Sequence, residues 1–436
     1  MAEVGLMRTT RKCSVSDFVW RGSESVREGE LAKAADPIMF LASLRGQFAL
    51  HERTAFGEHR LARDPLGVNK LFFAIRDDGE LEVSNWLIDL VRDGYSAKNV
   101  YSVPSGHYVR VQPAQREFEL IKFSDLGWGA MNGEPLDVVA NVIRAELDAV
   151  FDLVRDEVVG RPVWVTLSGG LDSSLVAALA SKRFPGLRAM TFYTGEENDD
   201  LFAARRVAQE LGIPLTETWV AADELASRID SVLVYGQDWR DFNVHCAVVN
   251  DVLGEKIAEI SADEMRPLVL TGDTMNELVA DYSPIVVNGH SHYGLPKLSA
   301  GRLRRFLVGG LDAGDREVGV FARHGVDVIQ PFALCAPAYA ALPGQFVTGV
   351  DAKSRLVRAV AGGLVPEFVH RRPKVRAQVG NEDGSGGTLG ALLSQGVDQQ
   401  FLSERFAALF DMHTEELPNL IRAGFYRFTS TYPTPS

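Results

Sequence analysis

Residues 163–180 read Val-Trp-Val-Thr-Leu-Ser-Gly-Gly-Leu-Asp-Ser-Ser-Leu-Val-Ala-Ala-Leu-Ala. The apolar run from Val163 to Leu167 predicts a buried parallel strand. Ser168-Gly169-Gly170-Leu171-Asp172-Ser173-Ser174 follows as a turn. Leu175, Val176, Ala178 and Leu179 then recur at helical spacing. A strand, a glycine-rich turn and a helix together make an anion site. Glycines let the backbone approach closely, and small hydroxyls add donors. The helix N-terminus aims free N–H groups and partial positive charge at the ligand. Phosphate is the expected ligand. No Gly-Lys-Ser/Thr follows the glycines, which excludes a Walker A loop.

Downstream of this stretch, strands and helices alternate. Strands are expected at Arg188–Tyr193, Pro214–Val220 and Pro267–Thr271, and helices at Asp199–Leu211, Asp223–Tyr235 and Phe242–Ile260. That alternation predicts an α/β domain with a doubly wound parallel sheet. Ligands on such sheets sit beyond the C-terminal ends of the strands. The loops after Leu167, Tyr193 and Thr271 are therefore expected to converge. Upstream, Val138, Val139, Val142, Ile143, Leu147, Val150, Phe151 and Val154 predict a long amphipathic helix. A polar linker from Ser124 to Pro135 suggests two domains, 1–130 and 131–436. The first 35 residues are polar and poorly patterned. Short strands at Arg45–His51, Leu81–Trp86 and Val103–Val109, separated by turns, predict a β-rich first domain.

The bulk numbers restrict the function classes. The chain has 436 residues, 46% hydrophobic and 24% charged, with a formal net charge of −13. That charge argues against general nucleic-acid or membrane-surface binding. Cys13, Cys246 and Cys335 are too few and too scattered for a disulfide framework or a zinc knuckle. Neither a secretory leader nor a membrane span is expected, and the expected location is the cytoplasm.

The loop Ser168–Ser174 resembles the pyrophosphate loop of ATP pyrophosphatases, which split ATP into AMP and pyrophosphate. A wider likeness, over about residues 38–380, is to asparagine synthetases. In the first domain it lies in Leu44-Arg-Gly-Gln-Phe-Ala49, Ala62-Arg-Asp-Pro-Leu-Gly67, Ser84 and Val103-Pro-Ser-Gly106. The resemblance implies a shortened, degenerate Ntn-like glutaminase domain. The family's nucleophile is an N-terminal cysteine. Position 2 here is Ala2, and Cys13 is internal, with no free α-amine to act as base. Glutamine hydrolysis is therefore not expected. Arg63 and Asp64 are expected to be structural.

In the second domain the likeness continues through Thr191-Phe-Tyr-Thr-Gly195 and Ala203-Ala-Arg-Arg-Val-Ala208. It then reaches Leu270-Thr-Gly-Asp-Thr-Met-Asn-Glu-Leu-Val-Ala-Asp-Tyr282. By resemblance, Asp273 is a candidate base, and Asp172 with Asn276 would hold Mg²⁺. The family has a carboxylate where Asn276 stands, so Glu277 is considered as a substitute ligand. The bland alternative for Asp273 and Glu277 is an acid-decorated helix N-terminus. Val326-Asp-Val-Ile-Gln-Pro-Phe332 resembles a core segment. Lys353-Ser-Arg-Leu-Val-Arg358 and Arg372-Pro-Lys374 complete the likeness. Lys374 would neutralise phosphate charge as the acyl-adenylate forms, or is a plain surface lysine. Gly380–Gly387 is read either as a lid or as a linker.

The resemblance thus implies ATP and Mg²⁺ as cofactors. ATP and pyrophosphate would be held by Leu167, Ser168, Gly169, Gly170, Leu171, Asp172, Ser173, Ser174, Tyr193, Gly272 and Lys353. The implied activity is an AMP-forming amide or lactam synthetase, close to the β-lactam synthetase branch. It would join a small-molecule or peptide carboxylate to ammonia or an amine, with a homodimer as a possible assembly. Two alternatives stand beside it: a non-catalytic nucleotide-binding relative, which Asn276 favours, and a tRNA- or base-modifying ATP pyrophosphatase. The latter would be expected to carry a cysteine pair and a basic face.

Overall fold

A computed structural model describes residues 15–112, 117–282, 285–287, 290–311, 314–347, 350–372, 378–381 and 386–417. Its centre is a five-stranded parallel sheet. The strand order is Leu215–Trp219, Arg188–Tyr193, Val163–Thr166, Leu268–Leu270, Asp327–Ile329. The chain enters at the middle strand, Val163–Thr166, and winds outward to one side. It then crosses to the other side at Leu268–Leu270. Val165 pairs with Ala189 on one flank and Leu270 on the other. The direction of winding reverses between the Val163–Thr166 and Leu268–Leu270 strands. The loops leaving these two strands bound the crevice in which such sheets bind ligands.

Helices cover the sheet. Helix Leu136–Glu157 buries Val139, Ile143, Leu147, Val150, Phe151 and Val154, while Val138 and Val142 of the same apolar pattern face outward. The expected helix at Asp223–Tyr235 is two shorter ones, Ala222–Ser227 and Ile229–Gly236. They meet at Arg228, whose guanidinium bonds Asp251, Glu224 and Glu255. Helix Asp241–Ile260 spans one wall of the crevice and is buried over most of its length.

Residues 15–122 form antiparallel β layers. A four-stranded sheet runs Glu117–Lys122, His107–Gln112, His59–Arg63, Ala49–Arg53, and a three-stranded sheet runs Leu81–Ser84, Phe72–Ile75, Tyr101–Ser102. Side chains alternate across a strand, and the sequence uses both faces. Leu61 and Val109, paired in register, meet Phe73 and Val83 of the other sheet. Their neighbours Ala62 and Tyr108 turn to the opposite side and pack with Leu31, Leu41 and Phe48. This is a sheet-on-sheet sandwich with helical cover on one face.

Residues 15–35 are better ordered than their polarity suggests. Phe18–Arg21 is a strand, antiparallel to Leu44–Gln47, with Phe18, Val19 and Trp20 buried. Arg63 and Asp64 are fully enclosed. Arg63 donates to the carbonyls of Asn69, Val103 and Gly67, and Asp64 accepts the backbone N–H groups of Leu66, Val68 and Asn69. They knit the turn after their strand, as expected of structural residues. Gln47 joins the two halves of the chain. Its amide donates to Val328 O at 2.6 Å and its carbonyl accepts from Gln330 N at 3.1 Å.

Candidate active site

The glycine-rich turn sits at the C-terminal end of the middle strand. Gly170 caps helix Leu171–Ser181, whose first N–H groups have no partner within the helix. Gly169 has φ +71°, and a Cβ there would lie 2.6 Å from the backbone of Ala203 and Ala204. Only glycine suits both that conformation and that approach. Ser173 Oγ ties the turn together through Ser168 N at 3.3 Å and Gly170 O at 3.3 Å. Gly272, from the next strand, packs so closely that a Cβ would meet Ser173 N at 2.9 Å. The two loops therefore form one wall.

That wall encloses a cavity of about 330 Å³. Leu167, Ser168, Gly169, Gly170, Leu171, Asp172, Ser173, Gly272, Asp273 and Asn276 all line it. Segments far apart in the chain meet here, with Ser354, Arg358, His370 and Arg372 completing the lining. Arg372 bonds Asp200 at 2.5 Å. Burial pushes the Asp200 carboxyl up to about 6, against the pull of Arg372.

Some expected residues sit elsewhere. Ser174 is fully buried on the inner face of its helix and is not part of the cavity lining. Met190, Thr191 and Phe192 line the cavity in place of the expected Tyr193. Lys353 belongs to helix Val350–Ala361, which contributes Ser354 and Val357 to the lining, but its side chain lies outside what is described. Lys374 and part of the Gly380–Gly387 segment lie outside the described residues.

The far end of the cavity holds a cluster that the motifs do not reveal. Arg316 is buried and grips Asp273 with two donors, one of them Nε to Oδ2 at 2.6 Å. The same guanidinium reaches Glu277 Oε1 at 2.6 Å, which also accepts from the Tyr282 hydroxyl at 2.6 Å. Phe242 places its ring 5.4 Å from the Arg316 guanidinium, a favourable distance for a cation over a π face. Burial alone would favour a neutral Arg316, yet the charges of Asp273 and Glu277 outweigh it and hold the cation. Glu277 is thus bonded to Arg316, and it is absent from the cavity lining. Among the described residues no group of three or more His, Cys, Asp or Glu could hold a metal ion.

Beside Arg316 stands Glu317, also buried and lining the cavity. Its Oε2 accepts from Thr271 Oγ1 at 2.6 Å and from Gln330 Nε2 at 2.8 Å. Burial first, and then the charge of Asp273, push its carboxyl well above the usual range; the Thr271 hydrogen bond and Arg316 oppose this. No motif surrounds Arg316 and Glu317. The one signal in the sequence is three adjacent charges, Asp315-Arg316-Glu317, just before the apolar run Val318–Ala322, which is an ordinary pattern. His245 is buried, with Nδ1 2.6 Å from the Tyr293 hydroxyl, and burial lowers it to about 3.

These features define an α/β domain with a glycine-rich loop at the switch point of its sheet. The asparagine synthase family model matches residues 148–310. Glutamine-hydrolysing asparagine synthetase of Gallus gallus is 29% identical over 248 residues, 51% of this chain and 43% of that protein. The Homo sapiens protein of the same name is 28% identical over 245 residues, with the same shares. The chain is similar to asparagine synthetases over about half of its length, and it spans less than half the length of these curated relatives. Among solved structures, an NH3-dependent NAD synthetase from Campylobacter jejuni aligns over 38% of this chain and 73% of its own, with 20% identity and a TM-score of 0.25. An NMN synthetase from Francisella tularensis aligns over 66% and 93%, with 14% identity and a TM-score of 0.29.

Proposed function

We propose that this chain is an ATP-dependent, AMP-forming amide synthetase. A carboxylate attacks the α-phosphate of ATP and releases pyrophosphate. Ammonia or an amine then displaces AMP from the acyl-adenylate. The observation that carries this reading is a single cavity shared by the Ser168–Ser173 loop and the segment from Gly272 to Asn276. One end suits phosphates, with helix N–H groups and the side chains of Arg358 and Arg372. The other end is acidic and aromatic and suits an amine and its acceptor.

Asp172 and Asn276 line this cavity together, and both offer oxygen atoms of the kind that Mg²⁺ takes. They would hold the ion, with ATP oxygens supplying more of the ligand set than usual, because Asn276 brings no charge. Bound there, Mg²⁺ would neutralise phosphate charge. Lys374 is proposed to add a cation near the leaving pyrophosphate. Glutamine is not proposed as the nitrogen donor. Among the described residues the cysteines are Cys246 and Cys335, both outside the β layers of residues 15–122.

The test is mass spectrometry of reactions with Mg-ATP, a panel of carboxylic acids, and ammonium or amines. AMP, pyrophosphate and an amide are expected. Asp172→Ala should abolish turnover and Cys13→Ala should leave it intact. Tight ATP binding with no pyrophosphate release from any acid would instead support a nucleotide-holding relative, the second reading, which Asn276 favours.

A further inference from the structure

Helix Asp241–Ile260 turns one stripe toward the cavity: Phe242, Cys246, Val249, Asn250 and Leu253 line it. Their spacing of three or four residues puts them on one helix face. The stripe runs past Arg316. Phe242 lies 5.4 Å from its guanidinium, and Asn250 Nδ2 donates to Arg316 O at 2.7 Å. Burial pushes the Cys246 thiol up to about 12; Arg316 opposes this, and Asp273, Glu277 and Glu317 add to it. The thiol is therefore neutral and behaves as a small apolar group. The stripe carries no charge, and Asn250 is its one polar side chain. Arg316 is already engaged. Nε and Nη2 bond both oxygens of Asp273, Nη2 also bonds Glu277, and Nη1 lies 3.4 Å from Asn243 Oδ1. Two carboxylates thus face one guanidinium. A further anion arriving here would lose its water and meet no surplus of positive charge. The other arginines lining the cavity among the described residues, Arg358 and Arg372, are the ones assigned to phosphate above.

We infer that the acid substrate is a monocarboxylic acid with an apolar body, which lies along Phe242, Cys246, Val249 and Leu253. This rests on the ligase reading above. The reacting carboxylate must reach the α-phosphate, so it points toward the glycine-rich loop. The rest of the acid then lies along the helix stripe, where an apolar body is removed from water against an uncharged wall. A second carboxylate on that body, as in succinate or aspartate, would be buried near Asp273 and Glu317 with no cation left to balance it. Such acids are rejected by repulsion and by lost hydration, and apolar acids are favoured by burial.

The experiment compares acids in ATP–pyrophosphate exchange, which needs no amine. One group has apolar bodies, such as pentanoate and phenylacetate; the other carries a second carboxylate, such as succinate and aspartate. The best acid should come from the first group, with kcat/KM about tenfold or more above any of the second. Val249→Ala and Leu253→Ala should raise the KM of that acid about tenfold and leave the KM of ATP unchanged. Glu277→Gln removes one negative charge from Arg316 without altering the cavity lining. It should shift the kcat/KM ratio toward succinate, whereas a merely structural loss would lower all acids alike. A best acid with a second carboxylate or a polar body overturns the assignment. So does a higher KM for ATP with an unchanged KM for the acid in the alanine variants, which would put the stripe against the nucleotide. Absence of exchange in wild type with every acid overturns the ligase reading itself, and this assignment with it.

Discussion

The backbone N–H of Gln330 donates to Oε1 of Gln47 at 3.1 Å, across 283 residues of chain. One side chain of the β layers thereby holds the residue whose own amide steadies Glu317. The same Gln47 amide satisfies Val328 O. The β layers therefore position the candidate site as well as covering the sheet.

Gln47→Ala should cost about 2–6 kcal/mol, because it strands two buried backbone groups at about 1–3 kcal/mol each. Urea unfolding measures this. A loss under about 0.5 kcal/mol, the size of an ordinary surface substitution, would show that the link is dispensable.

Arg316 forms ion pairs with both Asp273 and Glu277. Replacing it with Met leaves two acids in a dry site. Breaking a buried pair in this way costs about 3–5 kcal/mol. Adding Asp273→Asn and Glu277→Gln to Arg316→Met should restore part of the lost stability. If the triple variant is no more stable than the single one, the charges are not what holds this corner together.

Gly169 and Gly170 are neighbours with different tolerances. Gly169 has a positive φ, and a methyl group on its Cα would sit 2.6 Å from backbone atoms. Gly170 has φ −73°, and the same methyl would meet only Ser168 Oγ, at 3.3 Å. Gly169→Ala should weaken ATP binding about tenfold or more, since local strain of about 1–3 kcal/mol must be absorbed by the phosphate loop. Gly170→Ala should be milder. Calorimetric titration with ATP decides, and equal effects would contradict the packing described.

Asp200 makes stability depend on pH. Its carboxyl is raised from 3.8 to about 6, so the folded chain binds this proton more tightly than the unfolded chain. The resulting stabilisation is complete below about 3.8 and is lost as pH rises through about 6. A shift of roughly two units corresponds to about 3 kcal/mol. Asp200→Asn should remove this fall. Parallel stability curves for wild type and Asp200→Asn between pH 4 and 7 would refute it.

Much of the fold is legible in the sequence because it is written locally. An apolar run between polar segments, a Ser-Gly-Gly turn and a 3.6-residue apolar stripe each declare their state within a few residues. So the parallel sheet and the phosphate loop can be read from residues 163–180 and the alternation after them. The strand Phe18–Arg21 is not legible in this way. Four residues in a polar neighbourhood carry too little pattern, and their order comes from pairing with Leu44–Gln47. Ser174 and Tyr193 adjoin the site's motifs without lining the cavity, because neighbours in a helix or strand point in different directions.

The glycine-rich end of the cavity is thus a property of one contiguous stretch, since a strand, a turn and a helix start already contain the free N–H donors. The acidic end is not. Arg316 and Glu317 are an ordinary pair of charges until the sheet brings Leu268–Leu270 beside Asp327–Ile329 and the segment between them folds back over Asp273. Which carboxylate Arg316 clamps and which is held by neutral donors follows from hydrogen bonds between residues far apart in the chain, such as Arg316 with Asp273 and Thr271 with Glu317. No spacing rule encodes such contacts, because they depend on where the elements pack.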